Sequence, residues 1–561
     1  MMNENQQQQT PDATASDVDR QFDALTQQYY HAWLRFHPED AVDVGVNDYA
    51  DQLRSYEHDD IGALVALNQK MQSALEELSF DRLDANRKVD YTLIKGAISI
   101  ELHNIQAHDW RYTNPMAYVP VNAIYQLLIH PGKNFHQAIK HRLALIPEYL
   151  RGARVMLQQS PQTVVPNWLH TAEQMCESGA VFIRGLVRHS LMASKFANPA
   201  RLQPLLDDAA NALLGFAAFL KTEIEPHAAG DFAVGEDDFN RLLKEKHFLD
   251  ADASAILAYG ERLFAETEDA LKALTRKVRG NEDVQAWLAQ IQARHPAKEA
   301  LLDEYRQRLR NTYKWLQAED IVSIPAKQSL SIQQTPAFLT EVIPFAAYEP
   351  PMPGDSEQRG IYYVTTVEND ALLAEHNEFS IDLTCVHEAF PGHHLQFVAA
   401  NRFYGDDVTR LLNASATLFE GWALYCEDLS VELGLLDQDE HHFMMLRDRL
   451  WRALRIILDV KLQTRQMGLV EASDLMVEKL GFDRKQAIAE VNWYSSAPAT
   501  PLCYAVGRAL ILQLKQQVGG AEGLKTFHDK LLSQGSIALP LVIKRVFGDA
   551  YWQCVHDTVF E

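Results

Sequence analysis

Helical periodicity runs through nearly the whole of this 561-residue chain, and the single interruption fixes its fold class. From residue 17 to about 250 the apolar residues recur at helical spacing, as in FDALTQQYYHAWLRF, IKHRLALIPEYLRGARVML and LLDDAANALLGFAAFLKTEI, and a further block covers about 252–317. Connectors such as His130-Pro131-Gly132 and Ala229-Gly230-Asp231 stand between the runs. The texture changes only over 321–368, where IVSIPA, SLSIQQT, EVIPFAAYEPP and GIYYVTTVEN are rich in β-branched and aromatic residues and divided by Pro and Gly, with a surface loop at 351–359. Helical texture resumes after Asn369. The chain is therefore expected to be mostly α with one small β-sheet, placed immediately before the segment HEAFPGHH at 387–394. The expected organisation is a disordered polar tail over 1–16, a helical half over 17–320, and a second half over 321–561. That second half holds the sheet at 321–368, the helices of the His-Glu segment at 380–433 and a helical C-terminal region.

Composition narrows the function. The net charge is −24, with Lys+Arg 52 against Asp+Glu 76 and no basic run, which argues against nucleic acid or an anionic membrane surface as partner. The opening MMNENQQQQTPDATASDVDR has neither the basic nor the apolar region of a signal peptide, and no stretch is apolar enough to span a bilayer. A cytoplasmic protein acting on small soluble substrates is expected. The cysteines Cys176, Cys385, Cys426, Cys503 and Cys554 are widely spaced and form no C-x-x-C pair, as reduced and mostly buried thiols would be.

HEAFPGHH opens like the zinc-protease signature H-E-x-x-H and then places Pro391 where the second histidine would stand. In a regular helix His393 would lie about 120° round from His387, and His394 about 10.5 Å along the axis, so neither could share an ion with His387. Pro391 has no N–H to give the carbonyl of His387, and Gly392 admits backbone angles other residues avoid. A Pro-Gly bulge or break would bring His393 to the position of the second ligand, with His394 as the alternative. A third ligand is expected from another helix: LFEGWALYCEDL supplies Glu420, whose carboxylate beside Phe419 and Trp422 is costly to bury without a partner. Glu427, one heptad on, shares its face and could support a ligand from behind.

HEAFPGHHLQ, then FEGWALYCE, then Tyr504 and Gly507 in PLCYAVGRA resemble a large bacterial family of unknown function with the hallmark H-E-x-x-P-G-H-H. That family is distantly similar to the helical zinc peptidases of the carboxypeptidase Taq, thimet oligopeptidase and angiotensin-converting-enzyme types. The resemblance implies a large helical fold with a deep cleft, one side formed by 17–320, and a small sheet near the metal. It also implies His387 and a downstream histidine as ligands, Glu388 as catalytic base and Glu420 as third ligand. The chain departs from the family pattern after the arginine-rich helix, where Gln463 stands in place of an expected histidine.

Further candidates are less determined. Tyr504 and Tyr494 could donate to an oxyanion, and His394 could orient a ligand or contact substrate in a catalytic role. Arg449, Arg452 and Arg455 form a basic stripe from which a carboxylate could be bound, Arg455 being the substrate-binding candidate; the plainer reading pairs Arg455 with Asp459. His441-His442 reads as solvated surface. The expected activity is hydrolysis of short peptides by water activated at one Zn²⁺ per chain, Mn or Co being alternatives, with Glu388 as general base. A zinc hydrolase of another amide, such as an N-acyl or modified amino acid, and a non-catalytic metal-binding protein are the rivals. Oligomeric state is not legible from the sequence.

Overall fold

The computed structural model describes residues 16–336, 339, 343, 345–366, 373–518 and 523–561. The tail expected over 1–16 lies outside these except for Ser16, which is ordered: its hydroxyl accepts from Asp19 N–H and the Asp19 carboxylate accepts from Ser16 N–H, a reciprocal cap that starts the first helix. Parts of EVIPFAAYEPP and GIYYVTTVEN also fall outside the described residues.

The N-terminal half is helical, with α1 (Asp17–Trp33), α2 (His58–Glu77), α3 (Ala85–Ala107), α4 (Phe135–Gln159), α5 (Pro166–Gly185), α6 (Gln203–Phe219), α7 (Ala253–Arg279) and α8 (Leu301–Glu319) as its longer elements. Pro147 sits inside α4 and not between runs, so a proline here does not always mark a connector. The sheet comprises β1 (Ser329–Gln334), β2 (Ala346–Glu349) and β3 (Arg359–Val364) in the order β1-β3-β2, β1 parallel and β2 antiparallel to the central β3. Of the expected strands, IVSIPA is not one. Its backbone groups are taken by side chains instead: His528 Nδ1 donates to the Ile321 carbonyl at 2.7 Å and Ser323 N–H donates to Asp529 at 2.8 Å, while Ile321 and Val322 are buried in a connector.

The second half continues as α9 (Glu378–Glu388), α10 (His393–Tyr404), α11 (Ala416–Glu432), α12 (Asp439–Gln463), α13 (Arg484–Ser496) and α14 (Cys503–Val518). The largest core joins Phe239, Ile256 and Leu316 from the first half to Trp422, Ile456 and Leu510 from the second, so the helices that carry the motifs share one interior with α7 and α8. Two close crossings fix their positions. A Cβ on Gly260 of α7 would come 2.7 Å from Ile456 of α12, and one on Gly421 of α11 would come 2.6 Å from the Cα of Gly507 on α14. Among the cysteines, Cys176, Cys385, Cys426 and Cys503 are buried, Cys554 is exposed, and all are free.

Candidate metal centre

The chain solves the spacing problem of HEAFPGHH by breaking the helix. α9 ends at Glu388, the Phe390–Pro391 peptide is cis, and α10 starts at His393. Gly392 packs so tightly on the last turn of α9 that a Cβ would stand 1.9 Å from the His387 carbonyl oxygen and 2.4 Å from that of Val386, while its N–H donates to Val386 at 3.0 Å. Only glycine fits there. Trp422 Nε1 donates to the Pro391 carbonyl at 2.7 Å, which ties the break to α11.

The result is convergence. Nε2 of His387 lies 3.4 Å, and Nε2 of His393 3.2 Å, from the same oxygen of Glu420, with the two rings perpendicular and their centroids 4.8 Å apart. A direct charge-assisted hydrogen bond would be about 2.7–2.9 Å. Two ligands each about 2.0–2.1 Å from a tetrahedral ion stand about 3.3 Å from one another. The observed spacings therefore fit the edges of a coordination tetrahedron better than they fit hydrogen bonds. Glu420 Oε2, the oxygen on which both Nε2 atoms converge, is buried without a hydrogen-bond partner among the described residues, as expected of a donor turned toward an ion. One carboxylate and two imidazoles are the donor set of a catalytic zinc, so His387, His393 and Glu420 could hold such an ion.

A second group with metal-like composition behaves differently. His108 Nε2–H donates to one oxygen of Asp238 at 2.8 Å and His103 Nε2 stands 2.7 Å from the other, both shorter than the about 3.3 Å between ligands of one tetrahedral ion.

Electrostatics at the first group follow from burial. Burial alone would push His387 down, but the adjacent Glu420 carboxylate, the hydrogen bond to Glu427 and the charge of Glu388 raise it to about 10. Burial would raise Glu420, yet the two histidines hold it well below the usual carboxylate range. Without an ion, then, the chain holds a buried ion pair, and binding a cation displaces the His387 proton. Glu427 Oε1 accepts from His387 Nδ1–H at 2.7 Å, which fixes the tautomer that presents Nε2. Glu388 is half-buried and, among the described residues, accepts no hydrogen bond. Tyr504, on the first turn of α14, lies beside Glu420: burial first and the Glu420 charge second push its phenol well above the usual range, and the Gly421–Gly507 crossing sets how closely α14 approaches α11.

His394 is not part of the convergence. It is fully buried; its Nε2–H donates to Gln328 Oε1 at 2.8 Å, and Nδ1 accepts from the Tyr348 hydroxyl at 2.9 Å. Burial pushes it down to about 3, so the ring is neutral, and both nitrogens are spent on holding neighbours, which leaves none for the catalytic contact expected of it. Gly360 on β3 makes room for this pair, since a Cβ there would meet His394 Nδ1 at 2.7 Å. Tyr348 and Gln328 gave no signal in the sequence beyond a strand and a polar connector.

The basic stripe on α12 is divided among partners. Arg455 does not pair with Asp459: its Nε donates to the Tyr494 hydroxyl and its Nη2 to Glu490, both at 3.0 Å, and its guanidinium lies 4.3 Å over Trp451 and 4.7 Å over Tyr504. Tyr494 is fully buried and donates in turn to Glu490 at 2.7 Å. Arg455 and Tyr494 thus brace Tyr504 from behind. Asp459 accepts instead from the N–H groups of Ala499 and Leu502, at 3.2 and 3.3 Å, ordering the turn before Tyr504. Gln463 does what one imidazole could not: its amide donates to the carbonyls of Tyr494 (2.9 Å) and Ser495 (3.3 Å) and accepts from Val234 N–H (3.2 Å). His441 is buried on the first turn of α12 against Asp382 of α9 at 3.2 Å, and so is not the solvated residue expected.

A sequence profile described as "Bacterial protein of unknown function (DUF885)" matches residues 38–546. The chain belongs to this family. No curated protein sequence matches it significantly. Among solved structures the DUF885 chain is similar to a protein described, provisionally, as a lipoprotein of unknown function from Shewanella oneidensis, at 19% identity and TM-score 0.75, over 93% of this chain and 98% of that one. It is also similar to one described, again provisionally, as a lipoprotein from Colwellia psychrerythraea, at 15% identity and TM-score 0.78, over 96% and 99%. A third match, an M32 carboxypeptidase from Deinococcus radiodurans R1, has 12% identity and TM-score 0.43 over 96% and 99%, a likeness too loose to carry an argument. The expected cytoplasmic location is overturned by the first two. Lipoproteins are held at a membrane by a lipid and not by a spanning helix, so the finding that no described helix is long and apolar enough to cross a membrane does not bear on location.

Proposed function

We propose that this chain is a zinc-dependent hydrolase that cleaves the peptide bonds of short peptides. The observation that carries the reading is the unengaged Glu388 carboxylate beside the convergent His387, His393 and Glu420, because a purely structural ion needs no base next to it. His387, His393 and Glu420 would hold one Zn²⁺, with Mn or Co as alternatives, and Glu427 would fix His387. A bound zinc supplies a lowered water pKa and polarises the carbonyl under attack. Glu388 takes the proton of the attacking water and delivers it to the leaving nitrogen. Tyr504, braced by Arg455 and Tyr494, donates to the oxygen on which negative charge develops. The deep cleft that the resemblance implies would restrict access to short, unfolded substrates.

Release of amines from a mixed pool of short peptides, by wild type and Glu388→Gln, with N-acyl amino acids alongside, tests this. Cleavage of peptides by wild type alone supports it. Cleavage confined to N-acyl amino acids would move the substrate class to other amides, and none by wild type would remove the hydrolase reading.

A further inference from the structure

The arginines of α12 are unequally satisfied. Arg449 donates to Asp428, which also receives Arg508, and Arg455 is enclosed by Tyr494, Glu490 and aromatic rings. Arg452, on the turn between them, donates no hydrogen bond among the described residues, whereas Arg449, whose Nε is also unpaired, still donates through Nη2. The Arg452 side chain is 12% exposed, its Nε and Nη1 are buried with no hydrogen-bond partner among the described residues, and its closest carboxylate oxygen, on Asp448, is 3.7 Å away. The guanidinium carbon lies 4.2 Å from the centre of the Trp451 ring, a contact that uses none of its donors.

Its neighbours place it. One turn before, Arg449 reaches Asp428, the residue after Glu427; one turn after, Arg455 covers the ring of Tyr504. The Arg452 charge acts on both Glu427 and Tyr504, the groups behind and beside the metal ligands. Asp448 balances the Arg452 charge loosely, at 3.7 Å and without a hydrogen bond, so the guanidinium keeps donors that a second carboxylate could take.

We propose that Arg452 is the binding site for a carboxylate of the substrate, held by the donors it leaves unspent, and hence that the preferred substrates are short peptides with a free carboxylate near the scissile bond. The substrate class rests on the peptidase reading; the carboxylate site does not. A planar guanidinium offers two parallel N–H groups, which match both oxygens of a carboxylate and not a neutral amide. The carboxylate is the chain terminus or an acidic side chain.

The test is calorimetric binding of alanyl-alanine, its C-terminal amide, and alanyl-glutamate α-amide, in which only the side-chain carboxylate is free. The proteins are the full-length Glu388→Gln chain, so that no probe is consumed, and the same chain with Arg452→Gln or Arg452→Lys. We expect one or both acids to bind about 10- to 100-fold tighter than the neutral amide, Arg452→Gln to abolish that preference, and Arg452→Lys to restore part of it. The better acid identifies the source of the carboxylate. No preference in the parent, or a preference that survives Arg452→Gln, overturns the proposal. So does a fall in melting temperature for Arg452→Gln as large as that for Arg455→Gln, because it would make the guanidinium a structural group. Turnover in the wild type separates the two readings: preferential binding without peptide cleavage leaves this site standing and removes the peptidase, while cleavage indifferent to a free carboxylate does the reverse.

Discussion

Replacing Gly507 with alanine should disable the centre without touching a ligand. The new Cβ would lie 2.1 Å from the Thr417 carbonyl oxygen and 2.8 Å from the Cα of Gly421, both backbone atoms that no rotamer change can move. Restoring ordinary contact at about 3.5 Å requires α11 and α14 to part by about 1.4 Å. Overpacking of this kind costs about 1–3 kcal/mol, and the backbone-to-backbone clash puts it at the upper end. Alanine recovers about 1 kcal/mol of helix propensity over glycine, leaving a net loss of about 2 kcal/mol. A shift of about 1.4 Å also moves Tyr504 on α14 relative to Glu420 on α11, and so out of the place from which its hydroxyl would serve the centre. Gly62, within α2, is the control: nothing lies within 4 Å of a Cβ there, so Gly62→Ala should gain up to about 1 kcal/mol. Urea unfolding of the two variants, with peptide turnover on the same samples, gives the comparison. A Gly507→Ala protein as stable and active as wild type would refute the claim that the helix crossing sets the position of Tyr504 beside Glu420.

Three further outcomes follow from particular residues. Glu427→Gln keeps the shape beside His387 but removes the charge that fixes its tautomer, and should weaken metal binding about 10- to 100-fold, read by titration against a competing chelator. Gln463→His loses part of the bridge from α13 to Val234 and should cost about 1–3 kcal/mol in urea unfolding. His528 is fully buried, accepts from the Tyr425 hydroxyl, and is pushed by burial down to about 4. The unfolded chain takes up this proton below about pH 6.5 and the folded chain does not, so its contribution is complete above about pH 6.5 and falls away toward pH 4. Lowering the pH from 7.5 to 5 should remove about 2 kcal/mol of stability through this residue, and His528→Asn should flatten that part of the pH profile.

The sequence carried the helical class and the order of elements because a period of 3.6 repeats over many residues, and it carried the break at Pro391-Gly392 because each of those residues forbids a regular helix. It carried His387, His393 and Glu420 as one candidate group because chemistry limits what a buried carboxylate on an apolar helix can meet. IVSIPA was misleading because its β-branched residues fit a buried connector as well as a strand, and only distant His528 and Asp529 decide between them. The roles on α12 were hidden for a similar reason. Arg449, Arg452 and Arg455 look alike on a helical wheel, yet the partners Asp428, Glu490 and Tyr494 come from other helices, and that Arg452 alone of the three donates no hydrogen bond among the described residues shows only when all three are placed. His394 adjoins a candidate ligand in sequence but faces β2, and nothing in the motif gives the position of Tyr348.

Metal content of the purified full-length chain, beside Glu388→Gln and Glu420→Ala, is the most direct test of the centre. About one zinc per chain in wild type and Glu388→Gln, and little in Glu420→Ala, is the expected result, because Glu420 supplies one of three protein donors and Glu388 none. Zinc retained in full by Glu420→Ala, or bound by none of the three proteins, would contradict it and leave His387, His393 and Glu420 as a buried ion pair at the junction of α9, α10 and α11.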